Sequence, residues 1–171
     1  MQAIRLPGDP DGPNSYDELA FGAGSVWDLR TRAKRLDRLD PHDGSLQAAE
    51  VIGDGPFDLT FAAGSAWVVN NEDGTLTRVD GVTNKVTTIP VGPRPIDIAG
   101  NDHDVWVSGV GDIALRIDPT GRRSYQAMQV FGVTESFLAV GRDGSVWFNV
   151  NPKGISPTTR GAAVTHLRAT R

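Results

Sequence analysis

The sequence of 171 residues predicts an all-β fold, a β-propeller with four visible blades of four antiparallel strands each. Three landmarks that recur with one period of about 40 residues predict it. A tryptophan marks each copy, a turn of small or polar residues precedes it, and a Leu-Asp, Val-Asp or Ile-Asp pair follows the first three. The tryptophans are Trp27, Trp67, Trp106 and Trp147, and the aspartates are Asp40, Asp80 and Asp118.

The second copy shows the strand pattern most clearly. Leu59, Phe61 and Val68 belong to short apolar runs bounded by Gly, Asn and Asp, which is typical of strands joined by tight turns. The pattern predicts strands near 57–62, 65–70, 75–80 and 85–91. In the first copy the charged segment 28–38 has the length of a short helix, but the period favours a pair of charged strands.

Both ends of the chain depart from the period. A strand-like segment at 3–8 precedes the first copy and resembles the fourth strand of a blade. The last copy offers strands near 137–141, 145–150 and 163–168, but no fourth strand. We therefore expect segment 3–8 to complete the last blade and close the ring, because an open stack of sheets leaves unpaired edges. The chain, 1–171, is then a single propeller domain.

Composition excludes several classes of partner. Hydrophobic residues make up 39% of the chain, which is a globular composition, and the net charge of −4 does not favour nucleic acid. The absence of cysteine excludes disulfides and thiolate metal sites. No apolar run reaches the roughly 20 residues that span a bilayer, and the first residues lack a signal-peptide core. We expect a cytoplasmic protein that binds neither nucleic acid nor membrane.

Three acidic residues form the candidate ligand site. Glu18, Asp58 and Asp97 each stand nine residues before a tryptophan, at the start of the first and innermost strand of a blade. We expect them to line the mouth of the central channel and attract a cation or a cationic ligand. The alternative is that they bond backbone amides of neighbouring blades. In the fourth copy the same count gives Leu138, and a one-residue longer turn gives Phe137, so neither choice is acidic.

The tryptophans and the recurring aspartates have structural interpretations. A large side chain on the second strand fills the wedge between blades, so we expect the tryptophans to pack in the core, with an aromatic ligand cage as the alternative. Asp40, Asp80 and Asp118 are expected to accept hydrogen bonds from backbone amides in the turn that follows them.

Segments 91–99, 104–107 and 116–121 resemble the repeat of the virginiamycin B lyase-like, or streptogramin lyase-like, and related YVTN-type β-propellers, and 142–148 is similar to another variant of it. The resemblance covers about residues 3–150. It implies a propeller fold. It also implies the activity of a carbon–oxygen lyase that opens a cyclic depsipeptide ester with magnesium, using a general acid and base near the channel. Better-known members carry six or seven blades, and four are visible here.

The histidines do not match that activity. By the phase of the repeat, His42, His103 and His166 all fall outside the innermost strands, so no catalytic His–Glu pair can be placed. We therefore expect a non-enzymatic module, without a cofactor, that binds a small molecule or a protein at the channel mouth or the loops. The alternative is a streptogramin lyase-like enzyme, or a piece of one, that uses magnesium. Four blades also fit a fragment, a small complete propeller, or a half that pairs with itself as a homodimer.

Overall fold

The computed structural model describes residues 18–109, 113–120, 126–129, 133–152 and 163–168. These residues form fifteen β-strands. No helix among them is long and apolar enough to cross a membrane.

The strands form four antiparallel sheets in chain order. The first sheet contains β1 (Glu18–Gly22), β2 (Ser25–Arg30), β3 (Arg35–Leu39) and β4 (Leu46–Val51). The second contains β5 (Pro56–Ala62), β6 (Ser65–Asn70), β7 (Thr75–Asp80) and β8 (Val86–Pro90). The third contains β9 (Pro95–Gly100), β10 (Val105–Gly109), β11 (Ile113–Ile117) and β12 (Gln126–Gln129). The fourth contains β13 (Val133–Val140), β14 (Ser145–Pro152) and β15 (Ala163–Arg168).

Tight turns define the first hairpin of each of the first two sheets. Residues Ala63 and Gly64 join β5 to β6 and have φ angles of 46° and 72°. Ala23 and Gly24 join β1 to β2 with φ angles of 50° and 71°. Two successive residues with positive φ make the two-residue hairpin turn whose twist matches that of the flanking strands. The charged segment 28–38 accordingly forms strands on either side of a turn, as the period predicted.

The sheets pack face to face through their first and second strands. β1 lies against β5, β5 against β9, and β9 against β13, so the first strands form an inner row. One apolar cluster joins the first two sheets and includes Trp27, Leu36 and Leu59. A second cluster joins the second and third sheets and includes Trp67 and Ile98. The sheets are therefore successive blades, and the prediction of an all-β propeller is confirmed.

The fourth blade has three strands among the described residues. Segment 3–8, which we expect to complete this blade, lies outside the described residues. Between described strands, no packing comparable to that of β9 on β13 joins β13 back to β1. The described blades therefore form an arc with two end faces.

Candidate functional site

The predicted acidic residues occupy equivalent positions in the first three blades. In each blade the tryptophan pairs with a small residue on the first strand, and the acidic residue stands two positions before that partner. The partners are Ala20 for Trp27, Thr60 for Trp67 and Ala99 for Trp106. Glu18, Asp58 and Asp97 therefore lie on the inner row of strands, and we call them the carboxylate row.

Each carboxylate accepts a hydrogen bond from the next blade. The amide of Leu59 donates to Oε2 of Glu18 at 3.3 Å, and the amide of Ile98 donates to Oδ2 of Asp58 at 2.7 Å. The amide of Leu138 donates to Asp97 in the same way. The three bonds repeat one link between neighbouring blades, which was the structural alternative to ligand binding.

The middle carboxyl of the row is electrostatically unusual. Burial, hydrogen bonds to Glu18 and Asp97, and the negative charge of Asp97 together raise the pKa of Asp58 to about 9. A carboxyl group in low dielectric beside other carboxyls keeps its proton, because the ionised form would be desolvated and repelled. Asp58 is therefore protonated at neutral pH.

The fourth blade breaks the row at Phe137. Ala139 is the partner of Trp147, so Phe137 takes the position of the acidic residues, two places earlier. The count of nine residues, which gives Leu138, is wrong for this blade because its first turn is one residue longer. Leu138 corresponds instead to Leu59 and Ile98, whose amides donate to the row.

A magnesium ion would take oxygen ligands, which carboxylate side chains supply. Among the described residues, no group of three His, Cys, Asp or Glu side chains is arranged to hold a metal. Asp58 would also have to lose its proton before it could coordinate a cation. The ligand-binding role of Glu18, Asp58 and Asp97 stays a prediction, and the bonds between blades account for their positions without a ligand.

Three of the four tryptophans pack as expected. Trp27, Trp67 and Trp106 are fully buried, whereas Trp147 is 44% exposed. The indole N–H groups of Trp27 and Trp67 donate to the carbonyl oxygens of Gly22 and Ala62, at 3.1 Å and 3.0 Å. Trp147 differs because no described blade follows the fourth one.

Arginines stand opposite the buried tryptophans, and sequence reasoning missed them. Cζ of Arg38 lies 5.2 Å from the centre of the Trp27 ring, and Cζ of Arg78 lies 5.7 Å from that of Trp67. Both distances are within the range of a cation–π contact. Each arginine immediately precedes the Leu-Asp or Val-Asp pair of its copy, so the signal that could have found it was present in the sequence.

The recurring aspartates organise turns, as predicted. Oδ1 of Asp40 accepts the amide of His42 at 2.8 Å, and Oδ1 of Asp118 accepts that of Thr120 at 2.8 Å. Oδ1 of Asp80 accepts the amides of Val82 and Thr83 at 3.1 Å and 2.9 Å. These bonds lower the pKa of Asp80, because they favour the ionised carboxylate.

A depression of about 540 Å³ lies at the other end of the inner strands from the carboxylate row. It is bounded by the turn between β9 and β10, the turn between β13 and β14, and the end of β5. Its lining residues are Phe61, Gly100, Asn101, Asp102, His103, Val140 and Arg142. The repeat pattern predicts His103 in this turn, but it does not indicate that Phe61 and Arg142 lie close to it, because the three residues come from three different blades.

Asn101 fixes the turn that carries His103. Its Oδ1 accepts the amides of His103 and Asp104, both at 2.8 Å, and its Nδ2 donates to the carbonyl oxygen of Gly141 at 2.9 Å. The last bond ties the third blade to the fourth. The side chains of His103 and Arg142 are exposed above this fixed backbone.

The other two histidines lie elsewhere. His42 is in the turn between β3 and β4, as expected. His166 lies on β15 opposite Trp147 in the strand register. The described histidines therefore come from three different blades, and none lies on the inner row of strands.

Comparisons with known proteins support the fold. A streptogramin B lyase superposes with a TM-score of 0.71 at 17% identity, covering 98% of this chain and 58% of the lyase. Virginiamycin B lyase from Staphylococcus aureus gives 0.69 at 17% identity, covering 98% and 59%. Kuenenia stuttgartiensis hydrazine synthase gives 0.72 at 14% identity, covering 94% and 49%. No protein-family model and no curated protein sequence matches the chain.

These similarities define the class of protein. The chain is a propeller protein, and it spans about half to three fifths of the length of the solved structures that it matches. At these identities the likeness shows the fold and no particular activity.

Proposed function

We propose that this chain is a non-catalytic binding propeller whose ligand enters the depression between the second, third and fourth blades. The observation that carries the proposal is that depression, whose volume of about 540 Å³ lies within the usual range of small-molecule sites. Three blades supply its walls, so the propeller must fold before the site exists.

The chemistry of the walls indicates the class of ligand. Phe61 offers an aromatic surface, while His103 and Arg142 offer an imidazole and a guanidinium at the rim. A guanidinium forms paired hydrogen bonds with a carboxylate, and an aromatic side chain packs against a flat ring. Asp102 on the same rim disfavours a ligand with several negative charges. A small ring compound with a single acidic group fits this arrangement best.

Benzoate and its neutral analogue benzamide test this proposal. In two-dimensional ¹⁵N–¹H NMR titrations of the full chain, benzoate should shift the amide signals of Asn101, Asp102 and His103 with a Kd on the order of 1 mM or weaker, as is usual for a fragment. Benzamide should bind more weakly, because it cannot form the charge-assisted bond to Arg142.

Arg142→Gln should abolish the preference for benzoate, and Arg32→Gln is the matched control. Arg32 is an exposed arginine in the turn between β2 and β3, far from the depression along the chain and in a different blade. Its substitution should leave the preference unchanged. Equal shifts with benzoate and benzamide, or shifts that Arg142→Gln does not alter, would overturn the proposal.

The second candidate function is that of a streptogramin lyase-like enzyme. It is favoured by the solved structures of a streptogramin B lyase and a virginiamycin B lyase that resemble this chain. Incubation of the chain with a streptogramin B and magnesium, followed by mass spectrometry of the ring-opened product, tests it. Product formation that His103→Ala or His166→Ala abolishes would replace the binding function with catalysis. An unchanged antibiotic would remove this candidate.

A further inference from the structure

Two large apolar side chains on the first blade are far more exposed than the equivalent side chains on the second blade. Leu19 and Phe21 on β1 are 66% and 67% exposed. Their equivalents by strand register are Leu59 and Phe61 on β5, and Leu59 is only 7% exposed. The sequence therefore places a packing surface on β1 that no described blade covers.

The environment of Phe61 shows which way this surface faces. The rings of Phe61 and Trp27 lie 6.0 Å apart, so Phe61 reaches back from the second blade to the first. Its ring also fills the space beside Gly22, where an added Cβ would lie 2.0 Å from the ring. Phe21 has the same position one blade earlier. It therefore faces the space in which a preceding blade would lie.

The opposite end of the arc exposes the complementary surface. Phe137 and Trp147 on the fourth blade are 53% and 44% exposed. Trp147 corresponds to Trp27 and Trp67, each of which packs against the following blade. Because Phe137 stands two residues before Ala139, the strand partner of Trp147, it shares that face of the sheet. The fourth blade thus presents the surface that receives a following blade.

We propose that two copies of this chain associate head to tail, with the end face of each fourth blade on the first blade of the other copy. The two surfaces are the two halves of one interface, which recurs between the first and second blades and between the second and third. Each copy carries one half on its first blade and the other half on its fourth blade. A second copy therefore offers a matching surface to both end faces of the first copy. A twofold axis between the copies makes the two junctions equivalent. The two copies of four blades then form one closed ring of eight blades.

The junction between copies differs from the junctions within a copy in one respect. Within the chain, a carboxylate of one blade accepts the amide of Leu59, Ile98 or Leu138 in the next. At the junction Phe137 takes the place of that acidic residue, so Phe137 and Trp147 meet Leu19 and Phe21 without the hydrogen bond from a backbone amide to a carboxyl group. An apolar contact of this kind is not screened by salt, so association should persist at high ionic strength.

Size-exclusion chromatography with light scattering over a concentration series tests the proposal. The wild-type chain should elute as a dimer at both low and high salt. Phe21→Asp and Trp147→Asp should each yield a monomer, because each buries a charge at both junctions of the ring. Val82→Asp is the control, since Val82 is an apolar residue that is 86% exposed on the turn between β7 and β8, away from both end faces. This variant should remain a dimer.

Mixing the two monomeric variants distinguishes the head-to-tail arrangement from a symmetric contact. A mixed pair retains one unaltered junction, between Phe21 of the Trp147→Asp copy and Trp147 of the Phe21→Asp copy, so the mixture should recover part of the dimer. Circular dichroism should show that both variants keep the β spectrum of the wild type. A monomeric wild type, a dimer that neither substitution disrupts, or no recovery on mixing two folded variants would overturn the proposal.

Discussion

Replacing Asp58 with Asn should remove a large part of the dependence of stability on pH. In the folded chain the pKa of Asp58 is raised to about 9, from 3.8 for an unperturbed aspartate, by burial and by the neighbouring carboxyls of Glu18 and Asp97. Between these two pKa values the folded chain holds a proton that the unfolded chain has released. The contribution of Asp58 to stability is therefore largest on the acid side, falls as the pH rises from 3.8 towards 9, and is constant above that.

The magnitude follows from the size of the shift. Each pH unit inside this window lowers the free energy of unfolding by about 1.4 kcal/mol. Between about pH 5.5 and about pH 8.5 the loss from Asp58 is at most about 4 kcal/mol, a large share of the stability of a typical domain. The Asp58→Asn variant has no proton to release. Its amide group cannot accept two backbone amides as the carboxyl does, so it should be about 1–2 kcal/mol less stable than the wild type in which Asp58 is protonated.

Urea unfolding followed by tryptophan fluorescence at several pH values measures both effects. The wild-type chain should be more stable than Asp58→Asn at acid pH, and the difference should shrink or reverse towards the alkaline side. Contributions from histidines cancel in that difference. Asp80→Asn is the control, because the lowered pKa of Asp80 keeps it ionised across the window, so its substitution should shift stability without changing the slope. The reasoning is refuted if Asp58→Asn and the wild type show the same pH dependence.

Two further substitutions test the packing between blades. Trp67→Ala should cost about 3–5 kcal/mol in thermal or urea unfolding, because the indole is fully buried between the second and third blades. Phe57→Ala is the control, because it removes a largely exposed ring and should cost under about 1 kcal/mol. Similar losses from the two substitutions would contradict the assignment of Trp67 to the core. Gly22→Ala should cost about 1–3 kcal/mol, because the new methyl group meets the Phe61 ring. Gly24→Ala is the control: the space around Gly24 is open, but its φ of 71° strains an alanine, so this variant should lose only about 1 kcal/mol. A Gly22→Ala variant as stable as the wild type would refute the close approach of the two blades.

Much of the fold could be predicted from the sequence because it depends on local patterns. The strands Ser65–Asn70 and Thr75–Asp80 lie where the alternation of apolar residues and the turn residues placed them. The aspartate turns were equally predictable, since Asp80 binds amides only two and three residues ahead. The equivalence of Phe137 to the acidic residues was harder to predict. The turn between the first two strands of the fourth blade has one extra residue, so a count back from Trp147 misses Phe137 by one, and only the strand register reveals the extra residue.

The sequence by itself determined the blades, their number among the described residues, and the equivalence of Glu18, Asp58 and Asp97, because a repeat of fixed length carries all three. Only the tertiary structure decided what these residues contact. Asp58 keeps its proton because packing between the blades buries it and brings Glu18 and Asp97 to it. The depression beside Phe61 exists because turns of two other blades meet there. Such contacts join residues about 40 positions apart, and their distances depend on how the blades pack rather than on any local pattern.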